Sequence, residues 1–416
     1  MQARFLIGDT LSVLANIEPG SVDLVLSSPP FLALRSYLPP DHPNKALEIG
    51  SESTPADYLD TLLDVAEACS RVLAPHGSLV FELGDTFSDS DGAGGDYGKG
   101  GLRDGQNAFT GSARRGRNAA KTGEFADAWP LPKSLCGIPT LFAWSLAYGR
   151  NLLRPERTTD PWRIRNVVVW ARPNPPVGAL GDKHRPATSY VTVACKARDR
   201  YFDLDAVRGA PTTPTIVKVG KAAASRGIPG GDSGNPDKNR LSANPAGAPP
   251  LDYFIDDVFE IPTQPYSGSH YATWPAKLAE RFIESMVPQR VCRVCGQPSR
   301  RIVEKTEEYA AARAAVGDFK ADRGRSTGLN GTTQYVNGRH VERADVRTVG
   351  WTDCGCPGGN SRWRNGVVLD PFAGSGTTLA VATGHGRDAI GIDLDERNAD
   401  LAMERVGMFL SVECEG

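Results

Sequence analysis

Short apolar runs that end at Gly, Asp or Pro alternate with helical repeats along the chain. RFLIGD (4–9), VDLVLSS (22–28) and SLVFEL (78–83) are three such runs. Runs of this length between turn residues are typical of buried strands, and the helical repeats between them are typical of crossover connections. The pattern predicts an α/β fold with a largely parallel sheet flanked by helices.

Two predicted helices have clear ends. In residues 54–73, Thr54 is the expected N-cap and Pro55 the first helical residue, and apolar side chains follow at helical spacing. WPAKLAERFIESMVP (274–288) is bounded by proline on both sides. The segments around 166–172 and 189–195 resemble strands, and a last helix is predicted to carry Ala402, Val406 and Phe409.

Three stretches lack this periodicity. Residues 84–127 are rich in Gly and Ser, which predicts a mobile loop, and residues 209–262 contain a second irregular stretch rich in Gly, Pro and Asn. Residues 289–365 are polar, rich in Arg and contain four cysteines. We therefore expect one domain formed by 1–288 and 366–416, with 289–365 as an insertion.

The composition says more about the cellular location of the protein than about its reaction. The 416 residues carry a formal net charge of −2, which is not the basic excess typical of nucleic-acid binders, although the basic residues are clustered. No apolar run is long enough for a signal peptide or a membrane span. Eight scattered cysteines are too few for a disulfide framework, so a reducing, cytoplasmic location is expected.

VVLDPFAGSGTT (367–378) places a strand, a Gly-rich turn and a helix in succession. A phosphate-binding loop would need Lys where Thr377 stands, and a dinucleotide fingerprint would need a third Gly. A nucleoside cofactor without bound phosphates is the third interpretation. Asp393 supports it, because an acid about 20 residues beyond such a turn can hold ribose hydroxyls.

This segment resembles the cofactor motif D-P-F-x-G-S-G-T of the amino-group DNA methyltransferases. The matching residues are Asp370, Pro371, Phe372, Gly374, Ser375, Gly376 and Thr377. The resemblance implies that S-adenosyl-L-methionine binds in the turn, with Asp370 near its amino-acid end and Asp393 on the ribose.

The same family has a tetrapeptide (D, N or S)-P-P-(Y or F) at the end of another strand, matched here by Ser28, Pro29, Pro30 and Phe31. A simple turn is the alternative, but α/β sheets bind ligands at the carboxyl ends of their strands. An exocyclic amine is a poor nucleophile because its lone pair is delocalised into the ring. The Ser28 side chain and the Pro29 carbonyl would accept its protons, and Phe31 would stack on the flipped base.

The two motifs stand in the reverse of the usual order. The resemblance therefore implies a circularly permuted methyltransferase fold of the β group, with a seven-stranded sheet and neighbouring termini. Asp9 would lie near the adenine of the cofactor, or in an ordinary turn. VVVWARPNPP (167–176) and HYATWPAKL (270–278) resemble two further family segments, the second placing His270 and Pro275 in the cofactor pocket.

The insertion contains CRVCG (292–296) and CGC (354–356). CxxC followed by Gly is typical of a zinc knuckle, so the sequence predicts structural zinc in a zinc-ribbon-like insertion, with unpaired thiols as the alternative. The expected ligands are Cys292, Cys295, Cys354 and Cys356, and His340 is the alternative ligand. The arginines of the insertion suggest a DNA-facing role or a solvated basic face.

The resemblance thus implies a site-specific DNA methyltransferase that modifies double-stranded DNA, and no membrane partner is expected. Ser at the first position of the tetrapeptide favours N4 of cytosine over N6 of adenine, and an inactive nucleic-acid-binding module is the more distant alternative. Target recognition is expected from 84–127, 209–262 and the insertion. A cognate restriction enzyme is an expected companion, in a bacterial or phage-infected cell.

Overall fold

The computed structural model describes residues 1–33, 37–38, 41–88, 128–175, 184–207, 257–263, 274–305, 335–336, 339–340 and 346–414. Most of the predicted mobile loop, most of 209–262 and much of the insertion lie outside these ranges. By its internal contacts the chain divides into two compact units. Unit 1 comprises Met1–Ala206, Asp257–Ser299 and Cys354–Gly416, and unit 2 comprises Val207–Asp256 and Arg300–Asp353.

The helices are α1 (Thr10–Asn16), α2 (Pro55–Val72), α3 (Ile138–Tyr148), α4 (Ala276–Met286), α5 (Thr377–Gly384) and α6 (Asn398–Val406). The strands of unit 1 are β1 (Ala3–Ile7), β2 (Val22–Ser27), β3 (Leu73–Leu83), β4 (Arg150–Asn151), β5 (Arg154–Thr158), β6 (Arg163–Ala171), β7 (Thr188–Cys195), β8 (Val258–Glu260), β9 (Arg290–Cys292), β14 (Trp363–Asn365), β15 (Val367–Asp370), β16 (Asp388–Asp393) and β17 (Leu410–Cys414). Unit 2 contributes two antiparallel pairs, β10 (Arg301–Lys305) with β13 (Val346–Trp351) and β11 (Tyr335–Val336) with β12 (Arg339–His340).

Unit 1 is built on a mixed sheet in the order β17-β1-β16-β15-β2-β3-β7-β6-β8. Neighbouring strands run parallel except around β7, which is antiparallel to both β3 and β6. Every residue of the central strand β2 is buried, as expected for a parallel strand covered on both faces. The predicted α/β architecture and largely parallel sheet are confirmed.

The predicted count of seven strands is wrong for the part of the chain that the structure describes, where the main sheet has nine. The short strands β8 and β17 extend its two edges. The last helix ends at Val406, and Phe409 lies in a 3-10 turn before β17, because Gly407 at φ +66° ends the helix. Since β1 lies between β16 and β17, the first and last strands of the chain are neighbours.

Two groups of helices pack against the sheet. Helices α1, α2 and α3 contact one another in succession, as do α4, α5 and α6. Capping matches the sequence at α2, where the Thr54 hydroxyl accepts a hydrogen bond from the Asp57 N–H. No helix in the described ranges is long and apolar enough to cross a membrane.

Candidate active site

The two motif strands are neighbours in the sheet, although they lie at opposite ends of the chain. β2 and β15 pair in parallel, so the carboxyl ends at Ser27 and Asp370 meet at one edge. There the Ser27 hydroxyl donates a hydrogen bond of 2.5 Å to Oδ1 of Asp370. The tertiary fold therefore brings the tetrapeptide and the Gly-rich turn together.

The Gly-rich turn leads from β15 into α5. Gly374 and Gly376 have φ angles of +50° and +75°, which side chains with a Cβ rarely adopt. A Cβ on Gly376 would lie 2.9 Å from Cβ of Ala402, so glycine also allows α6 to approach. Thr377 begins α5, so the first backbone N–H groups of this helix, which have no partner within the helix, lie at this turn.

Contacts with Thr10 and Phe81 also hold the predicted cofactor motif in place. The Thr10 hydroxyl donates to the Pro371 carbonyl at 2.8 Å, and the Phe372 ring meets the Phe81 ring edge-on at 6.5 Å between centroids. The Ser375 hydroxyl is buried and has no hydrogen-bond partner among the residues that the structure describes. A buried hydroxyl of this kind is costly unless a ligand or water satisfies it.

Two acids stand beside the turn. Asp393 ends β16, and its Oδ2 accepts a hydrogen bond of 2.7 Å from the Gly374 N–H. Its Oδ1 accepts from the Asp395 N–H and the Asn398 amide. Burial raises the pKa of Asp393 to about 6, and burial also raises the pKa of Asp370 to about 6.

Asp9, which is predicted to lie near the adenine of the cofactor, is the N-cap of α1 in the structure. Its Oδ2 accepts hydrogen bonds of 3.0 Å from both the N–H and the hydroxyl of Ser12, which caps α1. The Gly8 N–H bonds to the Asp393 carbonyl at 3.0 Å, so the segment that leads to Asp9 lies beside Asp393 at the same sheet edge.

The tetrapeptide is held by β3, by the residue that follows it and by α2. The Ser28 hydroxyl donates a hydrogen bond of 2.6 Å to Oε2 of Glu82, and the Pro30 carbonyl accepts one of 2.7 Å from the buried Tyr58 hydroxyl. The half-buried Phe31 ring packs so closely on Gly84 that a Cβ there would lie 2.5 Å from the ring. Pro29 lies between these fixed points, where its ring restricts the backbone.

Glu82 is the main residue that sequence reasoning missed. The register of β2 and β3 aligns Ser27 with Phe81 and so Ser28 with Glu82. Burial raises the pKa of Glu82, whereas the Ser28 hydrogen bond and the charge of Arg172 act in the opposite direction. An acid in the otherwise apolar run SLVFEL was the available signal.

The further family-like segments are placed as follows. Arg172 follows β6, its guanidinium donates to the Thr188 carbonyl at 2.8 Å, and Asn174 exchanges two hydrogen bonds with the backbone of Thr263. Pro275 immediately precedes α4 as its N-cap. His270 lies outside the described residues.

The four predicted zinc ligands, Cys292, Cys295, Cys354 and Cys356, are brought together within unit 1. Their Sγ atoms all lie within 4.8 Å of one another. The side chain of His340, the alternative ligand, lies outside the described part of the chain.

Comparison with known proteins identifies the family. Residues 22–290 and 360–404 match the model of the N6_N4_Mtase family, described as DNA methylase. This chain is a member of that DNA methylase family. The match covers both the strand of the tetrapeptide and the Gly-rich turn.

Individual relatives of this DNA methylase are methyltransferases. The Type II methyltransferase M.SmaI of Serratia marcescens is 23% identical over 403 residues, which is 97% of this chain and 90% of the relative. The Type II methyltransferase M.Cfr9I of Citrobacter freundii is 26% identical over 274 residues, which is 65% of this chain and 68% of the relative. Among solved structures, PvuII DNA methyltransferase (cytosine-N4-specific) aligns with a TM-score of 0.47 and 14% identity, over 97% of this chain and 86% of that one.

Proposed function

We propose that this DNA methylase transfers a methyl group from S-adenosyl-L-methionine to the exocyclic N4 of cytosine in double-stranded DNA, at a specific site, after base flipping. The observation that carries the proposal is the meeting of Ser28 and the Gly-rich turn at one sheet edge, joined by the Ser27–Asp370 hydrogen bond. One strand end would receive the base and its neighbour the methyl donor.

The residues present fit the cofactor. The positive φ angles of Gly374 and Gly376 leave room for a close ligand, and the Ser375 hydroxyl is buried without a partner in the described chain. Asp370 and Asp393 are the acids that would face its amino-acid and ribose parts, Asp9 its adenine, and Pro275 the methionine end, with His270. When bound, the sulfonium supplies an electrophilic methyl group for direct displacement.

Ser28 and Glu82 would accept the hydrogen bond and the proton of the amino group of the base. Because the Ser28 hydrogen is engaged by Glu82, the lone pairs of its oxygen are available to accept an N–H of the base. The Pro29 carbonyl would accept the second N–H, and both contacts would localise the nitrogen lone pair towards the methyl group. The proton released from nitrogen can pass to Ser28 Oγ while the Ser28 proton passes to Glu82.

The choice of base follows from the residue type at position 28. Ser is an uncharged acceptor at a position where the family often has Asp, and it is commoner in the N4-cytosine subgroup. N6 of adenine is the alternative, and an inactive nucleic-acid-binding module is the more distant one. Nucleoside analysis of DNA methylated by the purified chain tests this directly: we expect N4-methylcytosine, and N6-methyladenine alone would overturn the assignment.

We further propose that the fold is circularly permuted, which the position of β1 between β16 and β17 supports. The predicted catalytic domain (1–288 and 366–416) would use residues 84–127, 209–262 and the insertion for target recognition. Because relatives are Type II methyltransferases, a cognate restriction enzyme is the proposed companion, acting with this chain on DNA in the cytoplasm.

A further inference from the structure

The cysteine cluster, defined as Cys292, Cys295, Cys354 and Cys356, has the dimensions of a zinc site. All four Sγ atoms lie within 4.8 Å of one another. A tetrahedral ion with Zn–S bonds of about 2.3 Å needs sulfurs about 3.8 Å apart, a separation that lies within this limit. Four thiolates would also complete the coordination sphere, which is typical of structural rather than catalytic zinc.

The local backbone directs the first two thiols towards one point. The Cys292 N–H bonds to the Gln297 carbonyl at 3.0 Å, and the Gly296 N–H bonds to the Cys292 carbonyl at 2.9 Å. The Val294 N–H points at Sγ of Cys292 at 3.4 Å, a donor that would stabilise a thiolate. Gly296 has a φ angle of +70°, which glycine adopts without strain and which closes this turn.

The second pair of thiols joins a different part of the chain to the same point. Gly355, between Cys354 and Cys356, has a φ angle of +72°. Shortly after it, β14 pairs antiparallel with β9, so that Trp363 lies opposite Cys292. An ion bound by both cysteine pairs would therefore clamp the β9–β14 ladder.

That ladder carries the partner of a buried acid in β2, the strand that leads to the tetrapeptide. Arg364 of β14 donates two hydrogen bonds, of 2.5 and 3.1 Å, to Asp23 of β2. Asp23 is fully buried and also contacts His76 at 2.8 Å. Asp23 lies five residues before Ser28, so the supported end of β2 is about 16 Å from the proposed reaction centre.

We propose that the cysteine cluster binds one structural zinc ion, which stabilises the fold by holding Arg364 against Asp23. The four cysteines lie outside the ranges matched by the family model, 22–290 and 360–404, so the site is an addition to the methylase core. Without the ion the ladder would hold Arg364 less firmly. Asp23 would keep its contacts with His76 and the Val367 N–H, but losing the guanidinium from a buried carboxylate is destabilising.

Metal analysis of the full chain tests the binding step. The protein is expressed with zinc in the medium and purified under reducing conditions. We expect about one zinc ion per chain, released when p-hydroxymercuribenzoate titrates the thiols, and cobalt-loaded protein should show the visible absorption of a tetrahedral thiolate site. Wild-type protein without zinc, or with these cysteines in disulfides, would overturn the proposal.

Variants test which thiols bind the ion. The double variant Cys354→Ser/Cys356→Ser should lose the zinc, whereas Cys414→Ser, which changes an exposed thiol outside the cluster, should retain it. Zinc retained by the double variant contradicts the ligand set. If the double variant does not fold, mercurial release and the cobalt spectrum of the wild-type protein decide the question.

Thermal unfolding tests the link to Asp23. Mercurial release of zinc should lower the unfolding midpoint of the wild-type chain by several degrees, and by much less in Arg364→Met, where the ion pair is already lost. Equal shifts in both proteins would contradict the link. Zinc content and unfolding are measured without methyl transfer, so these outcomes are independent of the proposed enzymatic function.

Discussion

At the scale of single residues, Glu82 changes the interpretation of Ser28. A serine hydroxyl has both a donor and acceptor lone pairs, and the 2.6 Å hydrogen bond to Glu82 engages the donor. In the proposed reaction, Ser28 would thereby present an acceptor to the base, as a carboxylate would at the same position. The acid is supplied by the neighbouring strand β3 instead of by the tetrapeptide itself.

The variant Glu82→Gln tests this pairing. We expect kcat to fall by about 100-fold, because the amide cannot accept the proton that leaves the base. The change in KM for S-adenosyl-L-methionine should be small, since the hydrogen bond from Ser28 to Glu82 lies on the tetrapeptide side of the proposed site. Glu18→Gln, which changes an exposed acid in the connection between α1 and β2, is the control for loss of charge. Wild-type kcat in Glu82→Gln would show that Ser28 acts without it.

The pH profile should separate the effect of Glu82 from that of Asp370 and Asp393, the acids proposed to bind the cofactor. Because burial raises the pKa of Glu82, kcat at saturating cofactor should fall as the pH is lowered and the carboxylate is protonated. That acid limb should disappear from kcat in Glu82→Gln. A limb near pH 6 in kcat/KM for the cofactor should persist, because Asp370 and Asp393 have pKa values of about 6. An unchanged kcat limb in the variant would argue against Glu82.

Asp370 is a proposed cofactor-binding acid whose ionised form is disfavoured by burial. Its pKa of about 6, against an ordinary value near 4, means that the ionised form is disfavoured by about 3 kcal/mol in the folded state. This penalty is complete above about pH 6 and disappears as the pH falls below about 4.

The variant Asp370→Asn should therefore unfold at a higher urea concentration than the wild type at pH 8, while losing affinity for the cofactor. The stability difference should shrink towards pH 4, because the wild-type carboxyl is then protonated. Asp199→Asn, at an exposed position, is the control and should change stability little. A less stable Asp370→Asn at pH 8 would mean that its hydrogen bonds outweigh the burial of charge.

At the scale of elements, the turn between β15 and α5 packs closely on α6 at one residue, Gly376. Gly376 has a φ angle of +75° and meets Ala402 of α6, whereas Gly386, at φ +71°, has no atom within 4 Å of its would-be Cβ. A substitution would meet similar backbone strain at both positions, but only at Gly376 would its Cβ also meet a neighbouring side chain. The comparison therefore isolates the contact between the turn and α6.

Gly376→Ala should lower the free energy of unfolding by about 1–3 kcal/mol more than Gly386→Ala, because only the first substitution overpacks the contact with Ala402. It should also weaken cofactor binding, measured by calorimetry, since the turn must move to relieve the clash. Equal losses at the two positions would show that backbone strain alone is responsible.

α3 shows why one helix escaped prediction. IPTLFAWSLAY is apolar almost throughout, so it has no polar face to reveal a helical period. Its bounds are set by Gly137 and Gly149, both in left-handed conformation, and its identity by packing against α2, β6 and β7. The capped and amphipathic helix α2, by contrast, was predicted to within two residues.

At the scale of the whole molecule, unit 1 joins the proposed methyl donor and acceptor sites through adjacent parallel strands. Cofactor bound to the folded state only should raise the stability of the entire cooperative unit, by about 2.7 kcal/mol at 100 times Kd. We expect Ser28→Ala to keep this S-adenosyl-L-methionine-dependent rise in melting temperature while losing methyl transfer. Asp393→Ala should lose the rise. If Ser28→Ala also loses it, the two sites are not separable as proposed.

The sequence by itself determined the α/β class, the capped helices, the Gly-rich turn and the tetrapeptide, because periodicity, turn residues and local spacing are properties of short segments. It also contained the two cysteine pairs. Only the tertiary structure decided that β2 and β15 are neighbours, that Glu82 stands behind Ser28, and that Arg364 reaches Asp23. These contacts join residues 54 to 343 positions apart, and their partners are chosen by sheet order and register, which depend on the packing of the whole chain.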